Sequence, residues 1–205
     1  MNENILQVIK ELREKSKKRS FPQSFDLIIN LREFDTKKPE NKITEDIILP
    51  HGRGVEANVI VFSDSLKDVG CDVLNSSNVE KFIKNKREGR KLVKSTDFFL
   101  SEPKLMPLVG KALGAYLGPK GKMPKLLVGD TKKMVDGYKR SVRVRIKDAP
   151  VVQCLVGKES MKDEMIVENI EAVLEHLKSK MPKGKHNFDK IFLKMTMSKH
   201  IQIKV

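Results

Sequence analysis

The chain has 205 residues, of which 39% are hydrophobic, and its 41 Lys and Arg against 27 Asp and Glu give a net charge of +14. This composition excludes an intrinsically disordered chain, and no apolar run approaches the roughly 20 residues that cross a bilayer. The N-terminal residues lack a signal-peptide core, so a cytosolic protein without a membrane partner is predicted. The excess of positive charge favours a polyanionic partner such as nucleic acid.

The N-terminal quarter of the chain predicts a helix followed by two strands. Apolar residues at helical spacing predict an amphipathic helix over residues 4–15. Apolar and polar residues then alternate over 25–31, which predicts a strand, and TEDIILP (44–50) predicts a second strand that its proline ends. The HGRG segment (51–54) predicts a flexible break.

The centre of the chain alternates short apolar runs with helical patterns. Strands are predicted at 57–62, 71–74, 97–100 and 125–129, and helices at 78–93, 103–115 and 131–138. Short apolar strands separated by helices are typical of a parallel sheet covered on both faces. The centre is therefore predicted to be an α/β domain.

The C-terminal part returns to the character of the N-terminal part. Strands are predicted at 141–146, 151–156, 190–197 and 200–205, with a break at Gly157 and a helix over 163–180. This shared character permits one split domain formed by both termini, with the βαβ centre inserted into it. Two domains in tandem would give a similar order of elements.

The stretch LGPKGKMPK (117–125) is the most glycine- and lysine-rich candidate motif. A Walker A loop would need a glycine where the chain has Tyr116 and a hydroxyl where it has Met123. Gly118 to Gly121 matches the GXXG form of KH domains, but a strand rather than a helix is predicted after it. The stretch is therefore interpreted as a glycine-proline turn that carries three lysines.

Catalysis has little support in the sequence. His51 has no serine, cysteine or carboxylate at a recognisable spacing, and the glycines beside it lack the third glycine of a dinucleotide fingerprint. Asp97 and Asp130 lie at ends of predicted strands, where an α/β enzyme could hold ligands, but helix capping explains Asp130 as well. The alternative hypothesis is a nucleotide- or phosphometabolite-binding α/β enzyme.

Cysteine and histidine spacing gives no metal site. Cys71 and Cys154 are isolated and the four histidines are scattered, so neither a disulfide framework nor a zinc site can be drawn. Both cysteines are interpreted as small core residues. No metal and no cofactor are expected.

Charge and aromatic content restrict the kind of nucleic acid. Residues 61–153 hold 20 basic and 10 acidic side chains, so the centre is more basic than the flanks. Aromatic residues make up only 5% of the chain, and no aromatic pair resembles a single-strand stacking platform. Folded RNA recognised by shape, or duplex DNA bound through its backbone, remains.

Several motifs in order resemble one family. These are ILPHGRG (48–54), LMPLVGKALGAYLGPKGKMPK (105–125), LVGKESM (155–161) and MTMSK (195–199). They resemble the L-one family of large-subunit ribosomal proteins, which form the lateral stalk, and FPQSFDLIINLREFDTKKPENKI (21–43) is most similar to its archaeal branch.

The resemblance implies a fold with two domains. A split α+β domain would comprise residues 1–60 and 154–205, and an inserted three-layer, Rossmann-like α/β domain would comprise residues 61–153. Hinges are expected near 52–60 and 154–158, with Gly52, Gly54 and Gly157 as hinge glycines.

The resemblance also implies a function without catalysis. Family members bind large-subunit ribosomal RNA at the mobile stalk in the cytoplasm and assist release of deacylated tRNA from the exit site. Bacterial and archaeal members also repress translation of their own operon mRNA. A monomer is expected off the ribosome.

The resemblance assigns the main RNA contacts to the split domain. The residues are Phe21, Ser24, Asp26, Lys190, Thr196, Met197 and Ser198, and secondary basic contacts are expected from Lys120, Lys122 and Lys125. Hydroxyls and a carboxylate pair with 2′-hydroxyls and base edges, while the apolar side chains lie against riboses or bases. Without the resemblance, most of these residues fit ordinary strand-face or core positions equally well.

Ser198 departs from the family pattern, which has glycine at this position. If the backbone there needs a positive φ or a very close approach, serine would strain or loosen the turn, unless the turn is rebuilt. The charge count favours the centre and the resemblance favours the flanks, and specificity comes from placed contacts. The main site is therefore predicted near Phe21 and Thr196.

Overall fold

A computed structural model of the chain describes residues 2–36, 38, 43–66 and 69–203. Within these ranges the chain forms six α-helices and ten β-strands, a mixed α/β fold. In chain order they are α1 (Asn2–Lys15), β1 (Ser24–Leu31), β2 (Thr44–Ile48), β3 (Val59–Phe62), β4 (Asp72–Leu74), α2 (Ser76–Lys84), α3 (Lys86–Ser95), β5 (Phe98–Ser101), α4 (Met106–Lys120), β6 (Lys125–Leu126), α5 (Thr131–Lys139), β7 (Ser141–Arg145), β8 (Val151–Lys158), α6 (Asp163–Lys180), β9 (Phe188–Met195) and β10 (Ile201–Ile203).

The chain divides into two compact units. Unit 1 comprises Met1–Glu56 and Arg140–Val205, and unit 2 comprises Ala57–Lys139. Unit 1 is thus built from both ends of the chain. No helix in the described ranges is long and apolar enough to cross a membrane.

The main sheet of unit 1 is antiparallel, with strand order β10-β9-β1-β8. Burial alternates strictly along β1, so its odd-numbered apolar residues enter the core while Ser24, Asp26, Ile28 and Asn30 face the other way. Helices α1 and α6 contribute their apolar stripes to the same core. One face of the sheet therefore packs against helices.

Arg13 of α1 fastens the turn between β8 and α6. Its guanidinium donates to the carbonyls of Glu159 and Met161, both at 2.7 Å, and to Asp163 Oδ1 at 2.8 Å. The same guanidinium lies 5.4 Å from the centre of the Phe25 ring. One side chain thus joins the first helix, the first strand and the start of the last helix.

A second sheet in unit 1 corrects the predicted domain boundary. Strand β2 pairs antiparallel with β7, and Val142, Val144 and Ile146 are buried in the same core as the main sheet. Residues 140–153, assigned by sequence to the inserted domain, therefore belong to unit 1. Their partner strand lies almost a hundred residues earlier in the chain, which local patterns do not reveal.

Unit 2 contains a parallel sheet with strand order β4-β3-β5-β6. Strands β3 and β5 are buried throughout, as their uninterrupted apolar runs predict. Ile60, Phe62 and Phe99 pack with residues of α2, α3 and α4, while Val59, Val61, Phe98 and Leu100 pack with Val135 of α5. The sheet therefore has a separate core on each face.

Apart from shifts of one or two residues at element ends, four predicted elements differ from the observed ones, one of them the helix over 103–115, which is α4 and extends to Lys120. The helix over 78–93 is two helices, α2 and α3, that meet at Asn85, whose φ of −110° and ψ of 80° interrupt the helical geometry. The strand over 125–129 shortens to two residues, β6. The strand over 200–205 is β10, and residues 204 and 205 lie outside the described part of the chain.

The stretch LGPKGKMPK is mainly a helix end rather than a free turn. Helix α4 runs through Gly118 and Pro119 to Lys120, and Gly121 ends it with a φ of 65°. The Gly121 N–H donates to the Gly118 carbonyl at 2.9 Å, and the Lys122 N–H donates to the Leu117 carbonyl at 3.0 Å. These bonds satisfy carbonyls at the end of the helix, which is the usual role of a glycine there.

Candidate nucleic-acid interface

The turn after β9 is joined to the start of β1. Thr196 Oγ1 accepts a hydrogen bond from the Ser24 N–H at 3.0 Å, and the Thr196 N–H donates to the Ser24 carbonyl at 3.1 Å. The two residues are 172 positions apart in the chain. The structure thus brings together the early and the late segments that sequence comparison with the family pointed to separately.

Gln23 completes this contact between the start of β1 and the turn after β9, which we call the junction. The sequence pattern did not indicate this residue. It is 1% exposed, and its Oε1 accepts a hydrogen bond from the Met197 N–H at 3.2 Å. Its Nε2 donates to the Lys17 carbonyl at 3.3 Å, and its backbone pairs with Glu159. A buried glutamine next to a strand has no local sequence signal, because its partners come from distant segments.

Ser198 shapes the turn without backbone strain. Among the described non-glycine residues only Glu33 has a positive φ, so the strain expected for serine in place of glycine does not arise. Ser198 Oγ accepts from the Met195 N–H at 2.8 Å and lies 2.9 Å from the Lys199 carbonyl, to which it donates. The serine hydroxyl therefore holds the turn through its own hydrogen bonds.

Two apolar side chains project from this junction. Met197 is 61% exposed, and Phe21, two residues before Gln23, is 44% exposed. Apolar side chains are equally exposed elsewhere in the described chain, as at Ile48 and Val128, so it is the position of Met197 and Phe21 near the polar turn, and not exposure alone, that makes them candidates. They offer contact area to a ribose or a base beside the polar groups of the turn.

Asp26 and Lys190 lie on the face of the main sheet that is opposite α1 and α6, which we call the open face. Asp26 pairs across the strands with Lys194, and Asn30 pairs with Lys190. Burial raises the pKa of Asp26 above its ordinary value, and the Lys194 ammonium opposes that rise. Lys190 is six residues from Thr196, about 20 Å along the strand, so it lies at the far end of this face rather than in the turn.

The three lysines of the LGPKGKMPK stretch have different environments. The Lys122 ammonium donates to the carbonyls of Val93, at 3.1 Å, and Thr96. These carbonyls lie at the end of α3, so Lys122 caps a helix and is a structural residue. Lys120 and Lys125 are exposed, at the end of α4 and in β6.

The glycines predicted as hinges fall into two kinds. Gly52 and Gly54 have φ values of 65° and 82°, which favour glycine, and they lie just before the boundary at Glu56. Gly157 instead lies within β8, where an added Cβ would be 3.1 Å from Ile166 Cγ1. The prediction that Gly157 breaks its strand is wrong, and residues 154–158 lie inside unit 1.

The HGRG segment is fastened to α6 and β8 by Asn169. This fully buried side chain donates to the carbonyls of Gly52 and Val156, at 2.7 and 2.8 Å, and accepts from the His51 N–H at 3.1 Å. The His51 ring contacts the Glu168 carboxylate. His51 thus serves to anchor a loop.

The position at which an α/β enzyme would bind a ligand is occupied by hydrogen bonds between side chains of unit 2. In unit 2 the strand order reverses between β3 and β5, where such folds bind ligands at the carboxyl ends of strands. There Ser63 and Ser65 donate to the Glu102 carboxylate, and these hydrogen bonds hold the pKa of Glu102 below its ordinary value. A carboxylate at this position repels phosphate.

The remaining enzyme candidates have structural roles. Asp97 precedes β5, at the opposite end from a ligand crevice, and accepts from the Asn58 N–H at 3.1 Å. Asp130 accepts from the N–H groups of Lys132 and Lys133 at the start of α5, as a helix cap does. No cluster of three metal-ligating side chains occurs in the described ranges.

These features define a basic, mixed α/β protein whose two ends form one sheet. A model of the ribosomal protein L1p/L10e family matches residues 3–199 of the chain. The chain belongs to this family, which confirms the resemblance seen in the sequence.

Curated relatives agree with this assignment. A protein of Methanocaldococcus jannaschii named large ribosomal subunit protein uL1 is 42% identical, over 98% of this chain and 95% of the relative. Proteins with the same name from Pyrococcus horikoshii and Methanobrevibacter smithii are 37% and 38% identical, over 98% and 99% of this chain and 95% and 100% of the relatives. The archaeal character of the resemblance is confirmed, and these relatives are named as ribosomal proteins rather than enzymes.

Proposed function

We propose that this chain is a structural ribosomal protein that binds large-subunit ribosomal RNA at the mobile lateral stalk in the cytoplasm. The observation that best supports this is the junction of Ser24, Thr196 and Met197, which hydrogen bonds assemble from both ends of the chain. Membership of the family and relatives named as large-subunit proteins add to it. No step of catalysis is part of the proposal.

The chemistry of the junction suits folded RNA. The Thr196 hydroxyl and the Asp26 carboxylate offer hydrogen bonds to 2′-hydroxyls and base edges. Exposed Met197 and Phe21 would cover riboses or bases beside them, and the buried Gln23 would keep the turn in one conformation. A site that is rigid before binding loses less entropy when it binds.

The two compact units are proposed to act as an RNA-binding split domain and an inserted Rossmann-like domain. Gly54, with a φ of 82° and two residues before the boundary at Glu56, is the proposed hinge glycine, whereas Asn169 holds the Gly52 carbonyl to α6. In the stalk, unit 2 would assist release of deacylated tRNA from the exit site. Exposed Lys120 and Lys125 are its proposed tRNA contacts.

Repression of the chain's own operon is proposed to use the same junction. A monomer with a single junction of this kind binds either ribosomal RNA or an mRNA segment of similar shape, but not both together. The two RNAs should therefore compete. A labelled operon leader that stays bound when the stalk RNA is in excess would contradict a shared site.

Site variants test the proposed interface. Thr196→Ala and Met197→Ala should each weaken binding of a large-subunit stalk RNA fragment by roughly tenfold, about 1.4 kcal/mol, because each removes a placed contact. Thr44→Ala and Met123→Ala are matched controls, since both residues are exposed and neither belongs to the junction: Thr44 is in β2 and Met123 is in unit 2. Unchanged affinity in both test variants would remove the junction from the RNA site.

A further inference from the structure

The open face of the unit 1 sheet carries an apolar centre. On this face Ile28 of β1 pairs with Phe192 of β9, and both side chains are half-buried. Gln202 and Gln153 are the cross-strand neighbours on either side, and both are exposed. In the described part of the chain, α1 and α6 pack on the opposite face. An aromatic ring therefore lies at the middle of a face that no helix of unit 1 covers.

The aromatic ring is held in place from one side. The Phe192 ring meets the His200 ring edge-on, with centroids 4.9 Å apart and an interplanar angle of 84°. This geometry uses the edge contact that aromatic pairs prefer. His200, the residue before β10, thus holds the ring from one side.

Basic and amide groups surround the apolar centre. Lys190 and Lys194 lie two residues before and after Phe192 on the same face, about 7 Å away along the strand. Asn30 lies beside Lys190, and Asp26, the one carboxylate among the β1 residues of this face, lies beside Lys194. The arrangement is an apolar ring with a lysine beside an amide on one side and a lysine beside a carboxylate on the other, so the Lys190 side suits the phosphate of a stacked base.

This face is continuous with the proposed junction. Along β9 the outward residues run from Lys190 through Phe192 and Lys194 to Thr196, and along β1 they run from Asn30 to Ser24. An RNA bound at the Thr196 turn could therefore reach Phe192, four residues away along the same face. A stacking site could not be predicted from the sequence, because a single phenylalanine in an alternating strand does not reveal which face the helices cover.

We propose that this open face is a second part of the RNA-binding surface, on which an unpaired nucleotide of the stalk RNA stacks against Phe192. Lys190, which pairs with Asn30, would contact the phosphate on one side of that nucleotide, whereas Lys194 pairs with the Asp26 carboxylate, which repels phosphate. The inference rests on the proposed function and adds to it a site for unpaired RNA. It predicts that affinity depends on nucleotides outside the duplex.

The test compares two RNAs and two variants. The probes are a stalk RNA fragment with its unpaired nucleotides and the same fragment in which these nucleotides have complementary partners. Phe192→Leu should bind the first probe about 5- to 30-fold more weakly than the wild type and should bind the second equally well. Phe192→Tyr, which keeps the ring, should restore affinity to within about twofold.

Controls separate folding from binding. Phe82→Leu, a half-buried phenylalanine of unit 2, should leave both affinities unchanged. Lys190→Gln, at an exposed position that should not affect folding, should lower the slope of log affinity against log salt concentration by about 1. This variant keeps the proposal testable if Phe192→Leu lowers the urea midpoint.

The outcomes also separate the two proposals. Wild-type affinities for both Phe192→Leu and Lys190→Gln, with Thr196→Ala still weakened, would overturn the stacking site alone. Failure of the wild type to prefer the stalk fragment over a scrambled RNA would overturn both proposals. Dimerisation that Phe192→Leu abolishes would assign the face to a second copy of the chain and would overturn the stacking site.

Discussion

Asn169 holds together three segments of unit 1, and its replacement by leucine tests how the HGRG segment is fixed. The side chain is fully buried and makes three hydrogen bonds to backbone groups of His51, Gly52 and Val156. Val156 lies at the irregularity in the β1–β8 pairing, where the register shifts between Phe25 and Asp26. Asn169 therefore satisfies a carbonyl at the point where the ladder is disrupted.

The expected loss follows from the groups left without partners. The buried Gly52 and Val156 carbonyls would lose their Asn169 bonds, and each unsatisfied buried group costs about 1–3 kcal/mol. The hydrogen bond from the His51 N–H is only partly buried, so its loss adds less. Asn169→Leu should therefore lower the free energy of unfolding by about 2–6 kcal/mol, a large share of the roughly 5–15 kcal/mol of a typical domain.

Urea unfolding followed by circular dichroism measures this loss, and amide exchange at residues 51–54 locates it. Lys178→Leu, an exposed position on the same helix, is the matched control and should change stability by no more than about 0.5 kcal/mol. Asn169→Leu that matches the control in both measurements would refute the role given to this side chain.

Further predictions concern Asp26, the two cysteines and Arg13. Burial raises the pKa of Asp26, so the folded protein binds a proton at this carboxyl more tightly than the unfolded chain does. The stability that this proton adds is full at low pH and is lost as pH rises through the folded-state pKa of Asp26. Asp26→Asn should therefore have an equal or higher urea midpoint than wild type at pH 7, with no difference near pH 3, while binding stalk RNA more weakly; a lower midpoint at pH 7 would contradict this. Burial raises the pKa of Cys154 to about 12, so a disulfide reagent at pH 8 should label Cys71 first and Cys154 only on unfolding; equal native rates would be the contrary result. Arg13→Ala should cost about 2 kcal/mol in urea unfolding, and a loss below about 0.5 kcal/mol would show that its hydrogen bonds are replaced by water.

The sequence predicted elements well wherever burial imposes a simple period. The alternation over 25–31 predicts β1 because one face of that strand meets helices and the other does not. The runs that became β3 and β5 are continuous because both of their faces are buried. Local patterns reveal such elements because the polarity of each residue matches the burial of its own position.

The sequence failed where distant segments decide the outcome. The sequence placed the end of the inserted domain near residue 153, whereas unit 1 resumes at Arg140. The reason is that β7 pairs with β2, and the residues of neither strand indicate that pairing. Pro119 and Gly121 predicted a turn, but proline is placed in the last turn of α4 and glycine ends that helix.

The residues of the candidate interface also differ in whether the sequence could indicate them. The family resemblance indicated Thr196 and Met197, whereas Gln23 and Phe192 depend on contacts that form only in the folded chain. Lys122 was predicted to contact RNA because it is basic, but its ammonium donates hydrogen bonds to carbonyls at the end of α3. Residue type predicts chemistry, and tertiary contacts decide whether that chemistry is exposed.

Specific recognition of stalk RNA is tested by a titration of the whole chain with a stalk RNA fragment and with a scrambled duplex of equal length, each at several salt concentrations. Binding through placed contacts predicts a clear preference for the stalk fragment, of at least about a thousandfold near physiological salt. The preference should persist as salt rises, because charge attraction to both RNAs weakens together. Equal affinity for the two RNAs, with the same steep salt dependence, would contradict the account.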